Sequence, residues 1–244
     1  MRNPLADVLR HTSSLFVNLI CKGTETETIF EAMSPDKSII FSATLKEPIA
    51  ELAGESVFAN LSLLNGLLNF ASYNTETATM NVTRAADGKR VEGFEFKDGS
   101  RKAGAIYRST NPSMIREEDW PPNTGVIKWL TEFEPQKAKL SEFGQLSSLY
   151  SEVEKVFMPK TEGGELMFIF GDEGSSNHRA SMVFQEGVDV EIKGDIRYKV
   201  GDLQSTVKLA GADPCKLHLT SRGVIMVSCE NSLARYTYII RAAR

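Results

Sequence analysis

Cysteine is scarce in this chain: Cys21, Cys215 and Cys229 are the only three, and no two stand in a CxxC spacing. An odd, unspaced set excludes a disulfide framework and a zinc knuckle, and is expected to be reduced, buried and cytoplasmic. Histidine is equally sparse. His11, His178 and His218 lie far apart, none has a partner at metal-ligand spacing, and each is expected at the surface or in a strand. There is no G-x-S-x-G, no H-E-x-x-H and no Walker loop. Gly163-Gly164 is not followed by Gly-Lys-Ser/Thr, so it is expected to be a hairpin tip. Glu117, Glu118 and Asp119 are contiguous in a proline-rich stretch, which suits a solvated loop better than an acid–base pair. No apolar run approaches the roughly 18 residues that span a bilayer, and no leader peptide is expected. These absences predict a non-enzymatic protein with no cofactor, no metal and no membrane partner.

Cationic excess is missing too. The formal net charge is −4; residues 1–125 carry 13 Lys/Arg against 16 Asp/Glu, and residues 126–244 carry 15 against 16. A conventional DNA binder with a wholly basic surface is thereby disfavoured. With 41% hydrophobic and 25% charged residues the chain is an ordinary globular one.

What the chain does contain is an order of elements that occurs twice. Helical spacing predicts helices at Pro4–Phe16 and Leu61–Ala71, then at Lys139–Glu152 and Asp202–Leu209. Within each half the helix starts lie roughly sixty residues apart, so the pattern is a duplicated domain and not a short solenoid. Asn3, Asn60 and Asp202 are the expected N-caps, and Gly211 the expected stop. Leu61, Leu64, Leu67, Leu68 and Ala71 form one predicted buried stripe, and Leu140, Phe143, Leu146, Tyr150 and Val153 another. Alternation predicts strands between the helices, including Val126–Phe133, Val188–Lys193, Asp195–Tyr198 and Arg235–Arg241. Turns are expected at Ser34–Lys37, Asp87-Gly88 and Asp98-Gly99, and a polar loop at Asp172–Asn177. Pro112, Pro121 and Pro122, with Pro135 just beyond, mark 111–125 as a connector. The expected division is therefore a domain at 1–110, a connector at 111–125 and a domain at 126–244, in an α+β fold.

The basic residues fall on or beside the helices. Arg2, Arg10 and His11 belong to the first, Lys137 and Lys139 to the third with Lys155 just past it, and Lys199 and Lys208 flank the fourth. If the helices share one face of the sheets, that face is basic although the chain is acidic. Phosphate attraction needs no more than this, and no base reading. Ordinary solvated helix charges remain the other reading, because the second helix carries no cation.

The Pro4–Cys21 opening, the Leu-rich segment Phe58–Ala71, the closing strand Ala105–Thr110 and the tyrosine-rich strand Tyr236–Ala242 together resemble the DNA polymerase sliding clamps of tailed bacteriophages, the PCNA-like ring family. Element order and length agree over nearly the whole chain. The similarity is specific mainly in Asn60–Phe70 and Ala103–Thr110. It implies two similar clamp domains with antiparallel sheets outside and short helices lining one face. Three chains would close a homotrimeric ring around duplex DNA without sequence preference. The ring would tether a replicative DNA polymerase by its C-terminal peptide, and a clamp-loader ATPase would open it. The DNA-facing residues would be Arg2, Arg10, Lys137, Lys139, Lys155, Lys199 and Lys208. The peptide pocket would hold Met33, Ile39, Trp120, Ile127, Tyr238 and Ile240. Subunits would join by edge strands near Ala103–Arg108 and either Met167–Phe170 or Ala180–Gln185. Residues 116–119 and Trp120 have no counterpart in that pattern. Two other readings stay open: a monomeric polymerase accessory factor of the same fold, and a non-enzymatic β-rich phage structural protein.

Overall fold

The computed structural model describes residues 1–86, 88–100, 102–124, 127–150, 152, 155–171, 178–194, 196–211, 214–220 and 224–243. In chain order its elements are α1 (Arg2–Thr12), β1 (Asn18–Gly23), β2 (Thr28–Met33), β3 (Ile39–Leu45), β4 (Gly54–Ala59), α2 (Leu61–Asn69), β5 (Thr79–Arg84), β6 (Val91–Lys97) and β7 (Gly104–Arg108). Then follow β8 (Thr131–Phe133), α3 (Lys137–Tyr150), β9 (Val156–Glu162), β10 (Glu165–Phe170), β11 (Ala180–Glu186), β12 (Tyr198–Lys199), α4 (Val200–Ala210), β13 (Cys215–Leu219), β14 (Ile225–Glu230) and β15 (Ala234–Ile240). The fold is α+β with antiparallel pairing, as expected. Two compact units are formed: residues 1–36, 40–122 and 230–236, and residues 37–39, 123–229 and 237–244.

In the first unit, β4, β1, β2 and β3 pair in that order, and β5, β6 and β7 form a second sheet. Alternation builds β2: Thr28, Phe30 and Ala32 point inward while Ile29, Glu31 and Met33 are half-buried. Ser34–Lys37 makes the turn to β3, with Lys37 at φ 61° and the Ser34 hydroxyl donating to Asp36 Oδ1 at 2.7 Å. Leu5, Val8 and Leu9 of α1 and Leu61, Leu64 and Leu68 of α2 are buried, and so are Phe58, Phe94 and Tyr107. The Tyr107 hydroxyl donates to the Ala59 carbonyl, and burial pushes its pKa up. Gly93 of β6 has no room for a side chain, since a Cβ would run into the Tyr107 carbonyl on β7.

Helix ends differ from the sequence expectation. α1 begins at Arg2 with Met1 as cap, so Asn3 lies inside the helix and Pro4 sits in its first turn, where no donor is missed. It stops at Thr12, whose hydroxyl bonds back to the Val8 carbonyl at 2.8 Å. Asn60 is the cap of α2 but is left-handed (φ 50°) and makes no side-chain cap bond. α2 ends at Asn69 because Phe70 is extended, which leaves Ala71 exposed and Leu67 half-buried. α4 begins at Val200, so Asp202 lies within its first turn, while Gly211 closes it as expected.

One buried polar cluster ties residues 230–236 to α1. The Tyr236 hydroxyl and Asn231 Nδ2 both donate to Asp7 Oδ2, the latter at 2.8 Å, and Arg10 takes Asp7 Oδ1 at 2.9–3.1 Å. His11 is fully buried and stacks on Tyr236 with centroids 3.8 Å apart, which corrects its expected surface position. Its Nε2 lies 2.8 Å from Arg10 Nη2 and must accept, because a guanidinium only donates.

In the second unit, β11, β10, β9 and β12 form one sheet, and β14, β13 and β8 pair in another. The tip Gly163-Gly164 joins β9 to β10 with φ of 60° and 83°. Phe143 of α3 packs against Phe157, Phe168, Phe170 and Phe184 at 5.2–6.3 Å. Only Phe143 and Ser147 of α3 are buried; Leu140, Leu146 and Tyr150 are half-buried, and Val153 lies outside the described residues. Of the expected strand Val126–Phe133, Val126 lies outside the described residues and Thr131–Phe133 forms β8, whose partner β13 ends at Leu219, opposite Thr131. Val188–Lys193 forms only a single bridge, Lys160 to Lys193, and Asp195–Tyr198 is replaced by Tyr198–Lys199. The expected loop Asp172–Asn177, Asp87 and Asp195 lie outside the described residues.

Burial pushes the Asp7 carboxyl up, but hydrogen bonds from Tyr236, Asn231 and Arg10, with the Arg10 charge, hold it below its ordinary value of 3.8. The native state therefore binds this proton less readily than the unfolded chain. Its stabilisation is present above the ordinary value and is lost as pH falls through the lowered native one. Asp7→Asn should lower the melting temperature at neutral pH, and the gap to the parent chain should narrow in acid. A gap constant with pH in a thermal-melt series would remove Asp7 from this role.

Candidate functional site

The helix cations fall into two groups. In the first unit, Arg2 Nε and Nη2 donate to the Leu68 carbonyl at 3.3 and 3.1 Å, joining α1 to the last turn of α2. Arg10 is held by Asp7. α2 itself carries no charged residue; its polar side chains are Ser62, Asn65 and Asn69. A groove beside it is lined by Asn3, Arg10, Ser13, Ser14, Asn65 and Asn69, with a volume of about 530 Å³.

In the second unit, Lys137 and Lys208 are exposed at the start of α3 and in the last turn of α4. Lys139 forms an ion pair with Glu142 at 3.0 Å. The structure brings Lys155 and Lys199 together: Lys199 pairs with Val156 in the β9–β12 ladder, and the Val200 amide donates to the Lys155 carbonyl at 3.0 Å. Five cations thus belong to the helices of the second unit and their flanks. Exposed ion pairs of this kind contribute little to stability, so these side chains can exchange partners cheaply.

The six residues expected in a partner pocket are divided between the two units: Met33 and Trp120 belong to the first, and Ile39, Ile127, Tyr238 and Ile240 to the second. Met33 lines a cavity of about 210 Å³ in the first unit, together with Val17, Ile20, Pro35, Arg116 and Asp119. Trp120 is half-buried directly after Asp119, and Ile127 is half-buried in the second unit. Ile39, Tyr238 and Ile240 are 2%, 0% and 0% exposed, so their side chains are packed in the chain's own core and not offered to a partner. Sequence reading missed Val17, Ile20, Arg116 and Asp119 as lining. Val17 reads as an ordinary strand residue, yet it precedes β1 and is 59% exposed. Arg116 closes the rim: it donates to both Asp119 oxygens at 2.8 and 3.1 Å and lies 2.8 Å from Glu118.

The sheets leave two outer strands of interest. β7 pairs with β6 alone and exposes Ile106, 59% accessible. β11 is the outer strand of its sheet. β10 lies between β9 and β11, which removes Met167–Phe170 from the expected edges. Unpaired edges are sites of strand addition.

Chemistry is sparse. Among the described residues no group of three or more His, Cys, Asp or Glu could hold a metal ion. His218 lies 2.8 Å from Ser228 Oγ and 3.4 Å from Glu132 Oε2, an order that superficially matches a hydrolytic triad. These residues stand on three adjacent strands, β14, β13 and β8, joined by their ladders. Burial lowers the His218 pKa against the opposing pull of Glu132, and Trp129 packs over the ring at 5.7 Å. The cluster fastens three strands. Among the described residues no helix is long and apolar enough to cross a membrane.

No protein-family model matches the sequence, and no curated protein matches it either. Solved structures do. PCNA from Thermococcus kodakaraensis superposes with a TM-score of 0.65 at 11% identity, over 100% of this chain and 97% of the other. PCNA from A. fulgidus, solved with the C-terminal region of FEN-1 bound, gives 0.65 at 13% identity over 98% and 95%. The PCNA2–PCNA3 complex from Sulfolobus tokodaii gives 0.61 at 12% identity over 99% and 96%. The chain has the PCNA clamp fold along its full length.

Proposed function

We propose that this protein is a DNA sliding clamp: a non-enzymatic ring that encircles duplex DNA and tethers the replicative polymerase of a tailed bacteriophage. Full-length agreement with PCNA structures is the observation that carries the reading. In this reading residues 1–110 and 126–244 are the two clamp domains and 111–125 connects them. β7 of one chain adds to β11 of the next, and three chains close the ring in the host cytoplasm. Head-to-tail joining pairs the outer strands β7 and β11, which a monomeric accessory factor would leave open. A clamp-loader ATPase opens the ring, consistent with a sequence that has no nucleotide motif of its own.

The helices face DNA, with Arg2, Arg10, Lys137, Lys139, Lys155, Lys199 and Lys208 meeting phosphates. Attraction to phosphate alone holds the ring without fixing it to a sequence, so it can slide. The partner tail docks in the cavity of Met33, Val17, Ile20 and Pro35, beneath the Arg116–Asp119 rim. A short polymerase tail there raises the local concentration of enzyme at the primer end. The A. fulgidus PCNA with a FEN-1 C-terminal region bound offers the parallel for such a tail.

Three measurements test the reading. Sedimentation velocity should give a species near three times 27.0 kDa, and Ile106→Arg should convert it to a folded monomer. A parent chain that stays monomeric at high concentration would favour the accessory-factor or structural-protein readings. Lys139→Glu with Lys208→Glu should weaken duplex binding and reduce the slope of log K against log salt by about 2, one phosphate contact being worth roughly 0.9. An unchanged slope would place these lysines away from DNA. Met33→Ala should weaken binding of the cognate polymerase's C-terminal peptide by about tenfold, and unaltered affinity would move the pocket elsewhere.

A further inference from the structure

The two cysteines furthest along the chain meet across a ladder. Cys215 of β13 and Cys229 of β14 are direct register partners. The Thr220 amide donates to the Val224 carbonyl at 3.2 Å, which makes that couple a hydrogen-bonded position. Positions alternate along an antiparallel ladder, so 219/225, 217/227 and 215/229 are the non-hydrogen-bonded ones. There the strands' Cα atoms approach to about 4.5 Å and the side chains lie closest. A disulfide spans Cα separations of about 4.4–6.8 Å, and the spacing of a non-hydrogen-bonded position falls within that range. Both thiols are reduced in the structure.

Their surroundings differ in a useful way. Leu217, Leu219, Ile225 and Val227, on the same face, are all 0% exposed, so the couple closes the end of an apolar row. Cys229 is 3% exposed, whereas Cys215 is only half-buried and can be reached from solvent. Cys21 lies in the first unit, 0% exposed and without a cysteine partner in its ladders.

We propose that Cys215 and Cys229 are a redox-active dithiol that closes to an intrachain disulfide when the chain meets a small-molecule disulfide such as oxidised glutathione. The Cys215 thiolate attacks the reagent, forms a mixed disulfide and releases one reagent thiol. The Cys229 thiolate then attacks the Cys215 sulfur and releases the second. Two protein thiols are oxidised, one reagent disulfide is reduced to two thiols, and the two protein protons end on them. Burial and the nearby Glu134 raise the Cys215 pKa, so the first attack is slow near neutral pH and quickens in alkali. The modified strands include β13, which carries His218, and the link fixes β13 and β14 in their present register.

The full-length protein equilibrated in glutathione redox buffers, then quenched and alkylated under denaturing conditions, tests this. The expected result is a chain that carries one alkyl group, on Cys21, and has two hydrogens fewer than a singly alkylated chain with free thiols, with a Cys215–Cys229 linked peptide and full reversal by dithiothreitol. Cys21→Ser should behave as the parent. Cys229→Ser should halt at glutathione on Cys215. Separately alkylated Cys215 and Cys229 under the most oxidising buffer would overturn the proposal. So would a link between chains, or a mixed disulfide that persists on Cys215 of the parent.

Discussion

A carboxylate that leaves water must be met on every side, and Asp7 is the residue on which that constraint falls in the first unit. One oxygen takes Tyr236 and Asn231; the other takes Arg10. Two of those partners lie more than two hundred residues away in sequence. Removing any of them leaves a half-buried charge short of a donor, which costs more than the lost bond is worth. α1 is thereby fixed in rotation about its axis. Its apolar residues Leu5, Val8 and Leu9 face the core, and Arg2 is carried to the end of α2. The stacking of His11 on Tyr236 then fills the space beside the polar cluster.

Much of the fold was legible because backbone period is written locally. The alternation in β2 and in β15, the paired glycines at 163–164 and the stop at Gly211 each have one physical solution. Helix ends were less legible, since Asn60 caps α2 without a side-chain cap bond and Asp202 lies inside the first turn of α4 instead of capping it. Strand lengths at 126–133 and 188–193 failed for another reason: a strand exists only where a partner lies beside it. His11 is expected at the surface or in a strand, and only the distant Tyr236 makes it a core residue of α1.

The site was less legible than the fold. Alternating apolar residues such as Tyr238 and Ile240 serve a core and a pocket equally well in sequence, and here they serve the core. The cavity that does exist depends on Arg116 and Asp119 reaching over Met33 and Pro35. No local pattern announces that approach. The helix positions of Lys137, Lys139 and Lys208 were easier to read, because a helix places its residues by count and charge has to remain near water.

On the proposed sliding-clamp reading, an acidic chain that binds an acidic polymer would have to separate its charges, and a ring would let weak contacts suffice. Topology would then retain the DNA, so each phosphate contact could stay individually cheap to break. The same logic accounts for the apolar residues left wet. Ile106 on β7, Leu63 and Phe70 around α2, and Leu149 on α3 are 59%, 55%, 52% and 76% exposed. Each would contribute about 1.5–3 kcal/mol on full burial, against an association cost of about 4–15 kcal/mol. No single one of them overcomes that cost. An interface between chains, as in the proposed ring, would have to combine an edge strand with several apolar helix positions. β7 and its exposed Ile106 supply the first of these, and α2 and α3 the second.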